Sequence, residues 1–169
     1  RELLLDTARF FLNTTFLKDM IDAMAYSKLN VLHWHAIDSQ SFPLESASFP
    51  ELAEKAAFAP QSHFCPDAKC TYSREDIQDV VEYARDRAVR VVLEIDTPGH
   101  GKEWGKAFPN MSLSHCSFNA DSIPLNPTIN FTSTVVRGVL SDMAGDAGPI
   151  KDGFLHLGGD EVDLQCWEK

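Results

Sequence analysis

Apolar positions in this chain alternate between short unbroken runs and a three-to-four-residue rhythm. Leu3-Leu4-Leu5 is a brief apolar run, consistent with a strand buried on both faces. Leu17, Met20, Ile21 and Met24 then recur at helical spacing, with Thr14 or Thr15 available as a cap. Asn30-Val31-Leu32-His33-Trp34-His35 predicts a second strand, and a long loop follows it. Ser73-Arg74-Glu75-Asp76 resembles a capping box with Asp in place of Glu, opening a helix striped by Ile77, Val80, Val81 and Ala84. Arg90 to Ile95, rich in Val, predicts the third strand. Val135, Val136, Val139 and Leu140 mark a third helix, and Phe154 to Leu157 a fourth strand. Strands separated by helices in this way imply right-handed βαβ units and a parallel sheet.

The polar residues sharpen this picture because they sit at strand ends. Asp6 to Arg9 follows the first strand, Asp38 the second, Asp96-Thr97-Pro98-Gly99-His100 the third, and Gly158-Gly159-Asp160-Glu161 the fourth. Active sites of (β/α)8 barrels gather at the C-terminal ends of their strands. A complete barrel takes about 250 residues, so the 169 residues read as roughly half of one. In the last loop the glycines allow a sharp turn, and the adjacent carboxylic acids cannot both ionise freely. A general acid beside an anion is the equipment for cleaving an acetal.

Composition narrows the setting. A hydrophobic share of 44% supports a real core, and no stretch approaches the roughly 20 apolar residues that span a bilayer. A net charge of −10 argues against nucleic acid, because phosphate binding needs clustered Lys and Arg and only Arg85, Arg87 and Arg90 approach a cluster. The start, Arg1-Glu2-Leu3-Leu4-Leu5, lacks both a signal peptide's pattern and an initiator Met, so the chain reads as a segment or processed form of a longer one. Four cysteines (Cys65, Cys70, Cys116, Cys166) leave three connectivities open. Sequons at Asn13, Asn110 and Asn130, together with the even cysteine count, point to the secretory pathway.

Other residues offer chemistries that rival the acid pair. His33-Trp34-His35 on a strand places both imidazoles on one face, as in metal-dependent barrel hydrolases, with His100, His115, His156 and Asp160 able to complete a ligand set. The opposing interpretation is hydrogen bonding within a polar barrel interior. Gly99-His100-Gly101-Lys102-Glu103-Trp104-Gly105 misses the third glycine of a dinucleotide fingerprint, and no Gly-x-Ser-x-Gly elbow is present. Carboxylate chemistry supported by His100 and an arginine remains, and no cofactor is expected.

Five motifs in series carry a resemblance over essentially the whole chain. Leu5-Asp6-Thr7-Ala8-Arg9, Lys28 to His35, Gln40-Ser41-Phe42-Pro43, Asp96-Thr97-Pro98-Gly99-His100 and His156-Leu157-Gly158-Gly159-Asp160-Glu161-Val162 resemble the family 20 glycoside hydrolases. Those are β-N-acetylhexosaminidases, and the likeness is to the eukaryotic lysosomal and secreted type. The resemblance implies an α/β fold, a (β/α)8 TIM barrel, with residues 1–169 as a partial catalytic domain holding its first four units. It implies substrate-assisted, retaining removal of terminal, non-reducing β-linked N-acetylglucosamine or N-acetylgalactosamine.

By the same resemblance Glu161 is the general acid and base, and Asp160 holds the acetamide N–H. Arg9 grips ring hydroxyls, and His100 and Asp38 form a supporting polar network. Cys116 and Cys166 match a pair that bridges two active-site loops, and Cys65 with Cys70 forms a local staple. One departure is Ser39, where relatives often carry a second acid before Gln40; altered local polarity with intact catalysis is expected. The implied partner is a glycan, with a homodimer as the candidate assembly of the full-length enzyme. A non-catalytic glycan-binding relative is the alternative of a different class. An isolated half-barrel, with open strand edges, is expected neither to fold stably nor to act alone.

Overall fold

Four strands line up in chain order: β1 (Glu2–Asp6), β2 (Val31–Ile37), β3 (Arg90–Ile95) and β4 (Leu155–His156), every neighbouring pair parallel. Among the described residues five α-helices lie between them: α1 (Thr14–Tyr26), α2 (Glu51–Ala56), α3 (Arg74–Arg85), α4 (Lys102–Ala107) and α5 (Asn130–Ala144). This computed structural model describes residues 1–113 and 119–168. The short helices α2 and α4 lie in stretches without helical periodicity. Their six residues each are too few to show one.

Local signals set the helix starts. The Ser73–Asp76 capping box forms as expected, with Asp76 N–H donating to Ser73 Oγ at 3.1 Å and Ser73 N–H to Asp76 Oδ2 at 2.8 Å. At α1 the cap is Asn13 rather than Thr14 or Thr15, which already lie inside the helix; Asn13 Oδ1 accepts the Phe16 N–H at 3.0 Å.

The sheet has two chemically distinct faces. Leu32, Trp34, Ala36, Val91, Leu93 and Ile95 point outward into one core with Leu17, Ile21 and Met24 of α1, Ile77, Val80 and Ala84 of α3, and Val135, Val139 and Met143 of α5. Each such Leu, Ile or Val contributes about 1.5–3 kcal/mol by leaving water. Trp34 satisfies its indole N–H within this layer by donating to Thr7 Oγ1 at 2.9 Å. The opposite face carries Asp6, His33, His35, Glu94 and His156 instead.

Two expectations need correction. β1 is not buried on both faces, because Leu4 lies on the polar face and is 50% exposed. β4 pairs only over Leu155–His156; its run ends where Gly158 and Gly159 take φ of +64° and +105°, values that leave extended backbone. An irregularity in β2 has consequences for the site. His35 pairs with Glu94, but the next pair is Ile37 with Ile95, so Ala36 is an extra residue in a bulge. The bulge resets the alternation, and Asp38 joins His35 on the polar face.

Candidate active site

The polar face begins with a row of residues in strict register: Asp6 opposite His35, His35 opposite Glu94, and Glu94 opposite His156. Above this row the strand-end loops close a cleft lined by Arg9, Asp38, Asp96, His100, Gly158, Asp160 and Glu161 among others. All five residues expected to act, from the ends of four strands, therefore meet at one place.

Asp38 is the hub of the upper layer, its side chain fully buried. Oδ2 accepts from Arg9 Nη2 at 2.8 Å and His35 Nε2 at 2.7 Å, and Oδ1 from His100 Nδ1 at 2.8 Å and the Ser39 N–H at 2.5 Å. Burial opposes its charge, but these donors overcome that and hold the carboxyl well below the usual range. Ser39 therefore leaves the ligation of Asp38 intact. Its hydroxyl donates to the Asp121 carbonyl at 3.2 Å, beside a bond from Gln40 Nε2 to Asp121 Oδ1 at 2.8 Å.

His100, 2% exposed, carries the chain of contacts onward. The bond to Asp38 raises its pKa, burial works against that, and Nε2 lies 3.5 Å from Glu161 Oε2 and 3.7 Å from Asp96 Oδ2. Asp96 is buried too, which pushes its carboxyl upward, and Oδ1 accepts the Gly159 N–H at 3.1 Å. This bond needs the glycines in front of the acid pair: a Cβ on Gly158 would stand 1.7 Å from Asp96 Oδ1. Asp160 and Glu161 are exposed at the mouth of the cleft, with a carboxylate oxygen of Asp160 within 4.8 Å of both Asp96 and His100 ligand atoms. Arg9 is half-exposed in the cleft, with Nη1 on Asp6 Oδ2 at 2.8 Å.

The lower layer bears on the two interpretations of the His-x-His motif. His33 Nε2 lies 2.6 Å and His35 Nδ1 2.8 Å from the same Glu94 oxygen, and His33 Nδ1 is 3.0 Å from Glu2. Both imidazoles thus spend both ring nitrogens on carboxylates. They also fall into different candidate ligand groups, His33 with Glu94 and His156, and His35 with Asp38 and Asp96. These contacts agree with hydrogen bonding within a polar interior. His115, named with the metal alternative, lies outside the described residues.

Burial works against charge on His35, but its bonds to Asp38 and Glu94 prevail and push it up from 6.5 to about 10. Its contribution to stability is therefore fully present below about pH 6.5 and is lost as pH rises through about 10. Denaturant unfolding of the full-length protein should show an alkaline decline that is shallower in His35→Gln; equal slopes would refute the assignment.

Away from the cleft, Cys65 and Cys70 are joined with a Cα–Cα distance of 6.0 Å. Cys166 is buried and disulfide-bonded, and Cys116, its expected partner, lies outside the described residues. Asn13, Asn110 and Asn130 are all exposed. Among the described residues no helix is long and apolar enough to cross a membrane. Glu94 and Asp121 were not among the expected site residues. The signal for Glu94 was available: a carboxylate inside a Val-rich buried strand demands partners, and His-x-His lies on the neighbouring strand.

Comparisons with known proteins agree with this geometry. The family described as "Glycosyl hydrolase family 20, catalytic domain" matches residues 1–169. The chain is 42% identical to mouse (Mus musculus) beta-hexosaminidase subunit alpha over 173 residues, covering 99% of this chain and 30% of that protein. It is 44% identical to beta-hexosaminidase 3 of Arabidopsis thaliana over 167 residues, again 99% of this chain and 28% of that protein. In structure it matches the exo-β-N-acetylglucosaminidase of Vibrio harveyi in complex with N-acetylglucosamine at a TM-score of 0.85 and 27% identity, over 100% of this chain and 28% of that one. It matches the Flavobacterium johnsoniae chitobiase at a TM-score of 0.83 and 29% identity, over 99% of this chain and 24% of that one. The four strands and the helices between them correspond to part of a (β/α)8 barrel, and the chain spans about 30% of the length of the curated relatives and 24–28% of the solved structures named above. The chain belongs to glycosyl hydrolase family 20.

Proposed function

We propose that residues 1–169 form the first half of the catalytic barrel of a β-N-acetylhexosaminidase, acting on glycoconjugates or chitooligosaccharides with a terminal non-reducing β-linked N-acetylhexosamine. The observation that carries this reading is the continuous contact chain from buried Asp38 through His100 to exposed Glu161, with Asp160 beside it. Glu161 protonates the departing glycosidic oxygen while the sugar's own acetamido oxygen attacks the anomeric carbon. An oxazolinium forms, and Glu161 then takes a proton from the water that opens it. Asp160 orients the acetamide N–H and balances the positive charge on the oxazolinium. Because the nucleophile belongs to the substrate, no carboxylate is needed across the ring, and neighbouring acids suffice. Arg9, already held rigid by Asp6 and Asp38, offers its remaining donors to ring hydroxyls.

Release of nitrophenol from a nitrophenyl β-N-acetylglucosaminide by the full-length protein tests the reading, and binding without release would favour a glycan-binding relative. Asp160→Asn should depress kcat on N-acetylated substrates by roughly a hundredfold, within the range of positioned acid–base groups. It should affect a nitrophenyl β-glucoside far less, and an equal loss on both would count against the role. Passage through the secretory pathway to a lysosome or the exterior belongs to the same proposal, supported by the cystine at Cys65–Cys70 and the exposed sequon asparagines. So does assembly with a second subunit, with a homodimer as the candidate form; the support is that relatives are named as subunits alpha and beta.

A further inference from the structure

On the floor of the cleft, Glu94 stands near the C-terminal end of β3 at 5% exposure, a buried charged residue of the sheet. A buried carboxylate is costly unless donors surround it. Here Oε2 faces His33 Nε2 at 2.6 Å and His35 Nδ1 at 2.8 Å, and Oε1 lies 3.1 Å from His156 Nδ1. The bond to His35 differs in kind from the others because His35 leads somewhere. Its second nitrogen, Nε2, is 2.7 Å from Asp38 Oδ2. Ionised carboxylates only accept hydrogen bonds, so an imidazole that bonds to both needs a proton on each nitrogen; Arg9 Nη1 also lies 3.1 Å from Nε2. Asp38 in turn holds His100, whose other nitrogen, Nε2, is 3.5 Å from Glu161 and 3.7 Å from Asp96.

Resting on the hexosaminidase reading, we propose that Glu94 is a positioning residue: it keeps His35 doubly protonated, so that His35 clamps Asp38 and fixes the orientation of His100 toward Glu161. The groups facing His35 are Asp6 and Arg9 from the β1 end, Asp38 from its own strand end, Glu94 from β3, and His33 along its own strand. Of these only Glu94 meets Nδ1. Without its charge the proton on that nitrogen has no anionic partner, and His35 titrates within the working range. The high pKa of His35, near 10, agrees with the arrangement, burial being outweighed by its bonds to Asp38 and Glu94.

The test uses the full-length protein. Glu94→Gln keeps the shape and removes the charge. Its kcat should fall roughly tenfold at neutral pH with KM little changed, a fraction of what an acid–base group supplies. The loss should shrink toward acid pH, where His35 regains its proton, and Glu94→Asp should restore much of the wild-type profile. His33→Gln removes a bond to the same carboxylate off the path to Asp38, and should leave the shape of the pH profile unchanged. A pH-independent loss in Glu94→Gln, or the same profile change in His33→Gln, would overturn the proposal. A measurement free of turnover and of variant folding is the ring-nitrogen NMR of 15N-histidine-labelled wild type near pH 8, with His35 assigned. Both nitrogens protonated supports the clamp; a neutral imidazole refutes it. Absence of hexosaminidase activity in the wild type would instead sink the functional reading and leave this titration to judge the clamp alone.

Discussion

Glu161→Gln should lower kcat by roughly 10²–10⁴-fold or more in the full-length protein, the range expected for a positioned general acid and base. Glutamine matches the shape of Glu161 and keeps a polar atom near His100 Nε2, 3.5 Å away in the native site. It has no proton to give and no basic oxygen to take one, so both halves of the reaction suffer. The size of the loss should depend on the leaving group. A nitrophenolate departs without much help from a proton, whereas a sugar alkoxide needs one. Turnover of a disaccharide should therefore fall further than release of nitrophenol. Near-normal hydrolysis of the disaccharide by the variant would dismiss Glu161 as the acid.

The second large effect is expected at Asp38. Asp38→Ala removes the one carboxylate shared by Arg9, His35 and His100, two of which are themselves buried. Breaking a buried ionic cluster by deleting one partner costs about 3–5 kcal/mol, because the charges left behind are uncompensated. The denaturant midpoint should drop accordingly, and activity should be lost even where the protein remains folded, since His100 no longer has its anchor. Asp38→Asn should be intermediate in stability: an amide fills the space, but one of its two heads donates where donors already point. A change below about 1 kcal/mol in Asp38→Ala, the size of an exposed pair, would show that the cluster is solvated rather than buried.

Much of this was legible in the sequence, for physical reasons that differ by residue. Strand and helix positions followed from periodicity because each element buries one side, and the register of Leu17, Ile21 and Met24 leaves little choice. The gathering of Arg9, Asp38, His100, Asp160 and Glu161 followed from topology, since parallel strands point all their C-terminal ends the same way. What stayed hidden were properties of pairs. Asn13 outranks the threonines beside it as a cap, but which of the three caps depends on where the helix begins. The identity of the His33 and His35 partners depends on strand register, which sets Glu94 opposite His35. Exposure of Leu4 depends on what lies over the polar face, which no run of three leucines reveals.

The bulge at Ala36 makes chain length part of the site's chemistry. A regular strand counts in twos, so a residue three places after His35 would be turned to the far side, among the apolar side chains under the helices. With one residue absorbed out of register, His35 and Asp38 share an acceptor–donor bond of 2.7 Å instead. The spacing His-x-x-Asp at this strand end is therefore a reading frame. Substitutions within it alter side chains, whereas gaining or losing a single residue would exchange the two faces and take the anion at the centre of the cleft with it.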